Sequence, residues 1–269
     1  MEQYYLICTY ILAGVLGLCF GSFMNVLIYR LPRGMNIAKP ASHCPTCGAP
    51  IHWYDNIPVL SYVLLHGKCR NCKTHISFRY TVVEICNCLL WIFSVTRFYK
   101  QGIVPVICSA VALSCLTVAF FSDLETMIVP DSMIIGTALA GLGLLVYGSL
   151  KYETDASPLD RAIGAVAGLV FFGALYFGFL LIKKKEGLGF GDVKLAGAMG
   201  LLLGWKNLLL SLIFASLSAC VAAIVRRVKA RETGEEEKEF PFAPYLTASA
   251  AICLFFGTAI VDFYLGLFI

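Results

Sequence analysis

The sequence predicts an all-α polytopic membrane protein of about eight transmembrane helices, with one small cytoplasmic domain inserted after the first helix. Three observations carry this. Apolar residues make up 59% of the 269 and charged residues only 14%, against about 45–50% and about 25% in soluble domains. Eight apolar runs approach the ~20 residues that cross a hydrocarbon core, and the mean hydropathy is +0.78. Between those runs only one segment, residues 29–81, is long enough to fold by itself.

The spans read as Tyr4–Ile28, Val82–Phe98, Ile103–Phe121, Met133–Leu150, Ala162–Ile182, Leu195–Gly204, Leu208–Val225 and Ala243–Phe268. The first is longer than a signal-peptide core of about 7–15 residues. Its arginines, Arg30 and Arg33, follow it while Glu2 precedes it, so it reads as a retained anchor. The sixth is short and glycine-rich, which suits a partial or tilted helix. The chain therefore divides into a first transmembrane helix (1–28), a loop domain (29–81) and a transmembrane domain (82–269).

Charge orients these spans. The loops at 29–81, 122–132, 183–194 and 226–242 share one side and hold 16 of the 21 Lys and Arg residues. The positive-inside rule makes that side cytoplasmic and puts both termini outside. Without the sixth span, Arg226, Arg227, Lys229 and Arg231 would fall on the opposite side. The net charge of +4 thus reflects topology and implies no nucleic-acid partner. In the first span, Gly14, Gly17 and Gly21 form a narrow face matching the close-packing motif of membrane helices. It predicts tight helix contact within one chain, with a homodimer as the alternative.

The loop domain holds two pairs of cysteines, Cys44 and Cys47 in "CPTC" and Cys69 and Cys72 in "CRNC", with 21 residues between them. Each C-x-x-C turn presents two thiolates about 3.5–4 Å apart, the edge of a tetrahedron with Zn–S near 2.3 Å. The spacing predicts a structural four-cysteine zinc site that staples the small domain. Lys68, Arg70 and Lys73 stand ready to offset the two net negative charges. Two disulfides are the rival reading, at odds with a reducing cytoplasm. The other eight cysteines fall in apolar spans and act as small hydrophobes.

Carboxylates at a membrane edge are costly, so each needs an account. Asp131 follows Pro130 and precedes Ser132 and an apolar run, where either can cap a helix. Glu125 suits a solvated loop. Asp123 closes an apolar run, and Asp192 ends "GLGFGD", where glycines at 187, 189 and 191 remove side-chain bulk and permit φ > 0. A dinucleotide fingerprint needs a strand and a βαβ unit, and membrane spans flank this one. Two carboxylates held together in low dielectric share a proton and can activate water. Spacing alone leaves open whether Asp123 and Asp192 form such a pair or merely cap helices that never meet.

Further segments carry a resemblance: "GSFMNVLIYRLP" (21–32), "NIPVLSY" (56–62), "GKCRNC", "ISFRY", "VVE" and "PFAPYL" (241–246). With these the chain resembles the type IV prepilin peptidases of the GxGD aspartic-protease group over nearly its whole length. The family's D-x6-P-D segment falls on Asp123, Pro130 and Asp131, and its GxGD loop on Gly189, Gly191 and Asp192. Thr81 and Ala243 depart from the usual proline and glycine. The resemblance implies catalysis by Asp123 and Asp192 on the cytoplasmic side of a bacterial inner membrane. It implies cleavage of a basic leader from prepilins or pilin-like proteins after glycine. Methylation of the new N-terminal residue from S-adenosylmethionine follows, with Gly67 and Lys68 as candidates in the methyltransferase part. The acidic run Glu235–Glu237 could attract the leader. Two other classes compete: a proton-coupled transporter would need aspartates near mid-span, and a membrane-anchored zinc-ribbon adaptor leaves the GxGD loop without a role.

Overall fold

The computed structural model describes residues 2–151, 154–184, 189–233 and 240–267. Glu235–Glu237 and Gly187 lie outside the described residues. Among those described the chain is helical, with no strand longer than an isolated bridge. The helices are α1 (Glu2–Arg30), α2 (Leu60–Leu64), α3 (Arg79–Phe98), α4 (Ile103–Thr126), α5 (Asp131–Lys151), α6 (Pro158–Lys183), α7 (Phe190–Leu203), α8 (Trp205–Thr233) and α9 (Ala243–Gly266). Seven of them are long and apolar enough to cross a membrane, and the protein is a multi-pass membrane protein. Helix α7 accounts for the expected sixth span. At 14 residues it rises about 21 Å at 1.5 Å per residue, short of a ~30 Å core.

The chain forms two compact units, Met1–Lys100 and Gln101–Ile269. The division falls within the stretch 82–269 that the sequence reads as one domain. In the first unit, α1 packs on α3 through glycine. A Cβ on Gly17 would lie 2.8 Å from Cys88 Cα, and one on Gly21 2.7 Å from Glu84 Cα. The expected close contact of this glycine face is therefore made by α3 of the same chain. Asn87 Nδ2 donates to the Gly17 carbonyl at 2.7 Å, pairing a buried amide where no water reaches. Arg30, at the end of α1, is buried and does more than carry topological charge. Its guanidinium donates to the carbonyls of Asn36, Ile37 and Pro40, closing the loop that follows.

In the second unit α7 is the buried centre. Leu195, Ala196, Met199 and Leu202 are wholly inaccessible. Helix α6 starts on a capping box of Ser157 and Asp160, a reciprocal closure of two free N–H groups. It meets α7 backbone to backbone, since a Cβ on Gly168 would lie 2.5 Å from the Ala196 carbonyl oxygen. A helix ending inside the protein leaves carbonyls to satisfy. Arg161 of α6, only 4% exposed, donates to the Leu202 carbonyl there, and the chain turns into α8 at Gly204, with φ 79°. Gly168→Val is expected to cost about 1–3 kcal/mol by overpacking this contact. Gly178→Val, on the same helix with no atom within 4 Å of its added Cβ, should leave thermal unfolding in detergent nearly unchanged. Equal midpoints for the two variants would reject the contact as a determinant of stability.

Candidate active site and metal centre

Asp123 lies in the last turn of α4. The helix outruns its apolar stretch through Ser122–Thr126 and ends at Met127, whose N–H bonds the Asp123 carbonyl. The Asp123 side chain is buried, at 6% exposure, and its Oδ2 accepts the Ala243 N–H at 3.1 Å. That donor opens α9, where the next residue, Pro244, has no N–H to offer. Here the positive end of a helix meets a carboxylate. Sequence reasoning treated Ala243 only as a departure from a motif, and its role rests on the backbone, which residue identity does not report.

Asp192 is the third residue of α7 and equally buried, at 8% exposure. It lies within electrostatic reach of Asp123, so the structure brings the two carboxylates together from α4 and α7. Neither Gly189 nor Gly191 uses the φ > 0 that glycine permits. Gly189 caps the helix at φ −67° and Gly191 lies within it. A Cβ on Gly189 would stand 3.5 Å from Asp192 Oδ2, and one on Gly191 3.5 Å from Val129 Cβ. These are ordinary contacts, so what glycine provides here is a slim backbone beside the carboxylate and beside the 123–131 segment. Glu125 is exposed, as expected, but it lies in the last turn of α4, where a loop was expected.

Asp131 is the first residue of α5, and its Oδ1 accepts Lys194 Nζ at 2.9 Å. Both side chains are substantially exposed, so the pair adds about 0–1 kcal/mol. It joins the segments that bear the two buried aspartates. Lys194, which sequence reasoning passed over, stands two residues beyond Asp192. The "GDVK" spacing was its only signal.

In the first unit the four cysteine sulfurs lie within 4.8 Å of one another, with Cys44 and Cys72 Sγ 3.8 Å apart. That is the tetrahedral edge for Zn–S near 2.3 Å, so the residues fit a soft divalent metal. Two matching turns build the cluster. The N–H groups of Gly48 and Lys73 return to the Cys44 and Cys69 carbonyls, and both residues take left-handed backbone, φ 69° and 61°. The Thr74 hydroxyl, 3.2 Å from Cys72 Sγ, is the first cause that pulls this thiol down to about 6. Asn71 donates to Cys47 Sγ. Arg70 does not serve the cluster as expected: its guanidinium forks onto Asp55 at 2.6–3.0 Å, holding that carboxyl below the usual range.

A family model described as "Bacterial Peptidase A24 N-terminal domain" matches residues 15–98, and one described as "Type IV leader peptidase family" matches residues 110–224. A prepilin leader peptidase/N-methyltransferase of Burkholderia pseudomallei (strain 1026b) is 34% identical over 273 residues, spanning 91% of this chain and 84% of that one. A protein of the same name from Aeromonas hydrophila is 34% identical over 94% of this chain and 92% of its own. One from Klebsiella pneumoniae is 39% identical over 76% and 89%. The chain belongs to the type IV leader peptidase family. No solved structure matches it.

Of the remaining sequence candidates in this family member, Lys68 is exposed and Gly67 is buried. Gly67 has left-handed backbone, φ 66°, and a Cβ there would lie 2.8 Å from the Tyr62 hydroxyl. Its need for glycine is thus conformational and steric. One metal ion per chain is expected at the cysteine cluster, lost when Cys44 or Cys72 becomes serine. Elemental analysis of detergent-purified protein checks this. No metal, with Cys44–Cys47 or Cys69–Cys72 disulfides found by mass spectrometry, would reject the centre.

Proposed function

We propose that the protein is a prepilin peptidase and N-methyltransferase of a bacterial inner membrane, with Asp123 and Asp192 as its catalytic dyad on the cytoplasmic side. One observation supports the dyad above the others: two buried carboxylates from separate segments, at the end of α4 and the start of α7, lie within electrostatic reach of each other. Buried together they titrate as a unit and share one proton. The ionised member takes a proton from an attacking water, and the protonated member gives one to the peptide carbonyl oxygen. On collapse of the tetrahedral species the proton passes to the leaving amine. The Ala243 N–H holds one Asp123 oxygen, which fixes how that carboxylate faces its partner. The transporter and adaptor readings explain neither this pairing nor the family.

The substrates on this reading are prepilins and pilin-like proteins with a basic leader, cut after glycine. The loop domain, 29–81, is the methyl-transfer part, held by one structural zinc on Cys44, Cys47, Cys69 and Cys72. S-adenosylmethionine supplies an electrophilic methyl group. The chemistry of this domain suits it: Lys68 offers an exposed cation to a carboxylate, and the exposed Trp53 offers an aromatic face to a purine. The new N-terminal amine gains the methyl and loses a proton.

Asp123→Asn and Asp192→Asn should each abolish leader cleavage with the protein still folded, because either change removes half of the shared-proton pair. Asp131→Asn, which removes only an exposed ion pair, should retain most activity. Mass loss from a purified prepilin is the measurement. Near-native cleavage by Asp123→Asn, with loss in Asp131→Asn, would reverse the choice of first aspartate.

A further inference from the structure

A strained turn in the loop domain is held by a carboxylate that neither the dyad nor the metal centre uses. Val59 has φ 61° and ψ −50°, and Leu60 N–H bonds the Pro58 carbonyl across it at 2.6 Å. This is a γ-turn of the rare sign, at a β-branched residue for which positive φ is a genuine outlier. Such backbone persists only when its surroundings over-determine it, and it clusters where position matters. Glycine at 59 would meet the same geometry without strain.

The surroundings are specific. Val59 N–H donates to Glu84 Oε2 at 2.7 Å. Glu84 lies on α3 at 8% exposure, and Ser22 of α1 stands beside the same carboxylate. The Val59 N–H is a donor, so the side chain serves it as an acceptor. Glutamine keeps one acceptor oxygen and puts a buried NH₂ group in place of the other. Gly21 lets α1 lie flush on the Glu84 backbone, which keeps water from replacing the bond.

Beyond the turn every step is tied down as far as Lys68. Ser61, buried, accepts the Ile57 N–H and donates to the Tyr54 carbonyl. The Tyr62 carbonyl accepts Gly67 N–H, and the Gly67 carbonyl accepts Ile76 N–H at 2.7 Å. The Tyr62 ring rests where a Gly67 side chain would be. A rigid run therefore joins Val59, through the five residues of α2, to Gly67 and Lys68. We infer that Glu84 is a positioning residue for methyl transfer: by clamping Val59 in its strained γ-turn it sets, through α2, the place of the Gly67–Lys68 segment. This rests on the reading of 29–81 as the methyl-transfer part.

The test uses full-length protein in phospholipid nanodiscs with a purified prepilin and S-adenosylmethionine. Mass spectrometry of the product reads leader loss and the added methylene together, and hydrogen exchange reads the 59–67 amides. Glu84→Gln is expected to slow methyl transfer about tenfold relative to cleavage, the scale of one hydrogen bond to a charged group, and to speed exchange at Val59. Val59→Gly alone should keep both activities. In Glu84→Gln/Val59→Gly it should restore most of the methyl transfer, because a relaxed turn no longer needs its clamp. A merely structural role for Glu84 would show no such rescue. Should Glu84→Gln not accumulate, Ser22→Ala should show the same bias more weakly. Equal loss of both activities, or no rescue by Val59→Gly, overturns the inference. Faster exchange with methylation untouched overturns it alone. A wild-type protein that removes the leader without adding a methyl group overturns the functional reading and the inference with it.

Discussion

Placing two carboxylates out of water, close together, in a chain that is 59% apolar is the constraint to which the second unit answers. Isolated charges at membrane depth are expensive, and like charges within reach of each other are more so. The surrounding elements reduce that cost by local means. Helix α4 runs past its apolar stretch to carry Asp123 on ordered backbone. Helix α9 begins where its free N–H reaches that carboxylate. Helix α7 carries Asp192 in its first turn and ends inside the protein, where Arg161 takes up a carbonyl at its far end.

Position in this unit comes from removing side chains as much as from adding contacts. The α6–α7 interface brings backbones together at Gly164, Gly168 and Gly200, as membrane helices do when van der Waals packing has to replace the hydrophobic effect. With α7 so fixed, a slim loop at Gly189 and Gly191 is enough to aim Asp192. The glycines of that loop permit close approach. They are not used for unusual dihedrals.

The first unit solves a different problem. Between residues 29 and 81 Cys44 is the one buried apolar side chain, and a metal on the four-cysteine cluster would supply the cross-links that a core otherwise replaces. Hydrogen bonds to carbonyls and sulfurs do the rest. Arg30 and Asn71 donate to a backbone carbonyl and to a sulfur, and the Thr74 hydroxyl oxygen accepts from the Cys72 thiol. Glu84 adds an acceptor of its own, for the N–H of the strained turn at Val59.

The sequence by itself determined the spans, the division of charge between loops, the cysteine cluster and the two aspartates. Those features are local: apolar run length, C-x-x-C spacing, and motifs a few residues long. Helix ends slipped because polar residues such as Ser122–Thr126 continue a helix that hydropathy had closed. Only the tertiary structure decided which groups meet. The partners of Asp123, Arg70 and Glu84 lie 120, 15 and 25 residues away. Two of those three are backbone N–H groups, which every residue but proline carries and no sequence pattern distinguishes. The shortness of α7 was visible as a weak span. That it is a buried centre packed backbone to backbone depends on where α6 places its glycines, and that is a property of the fold.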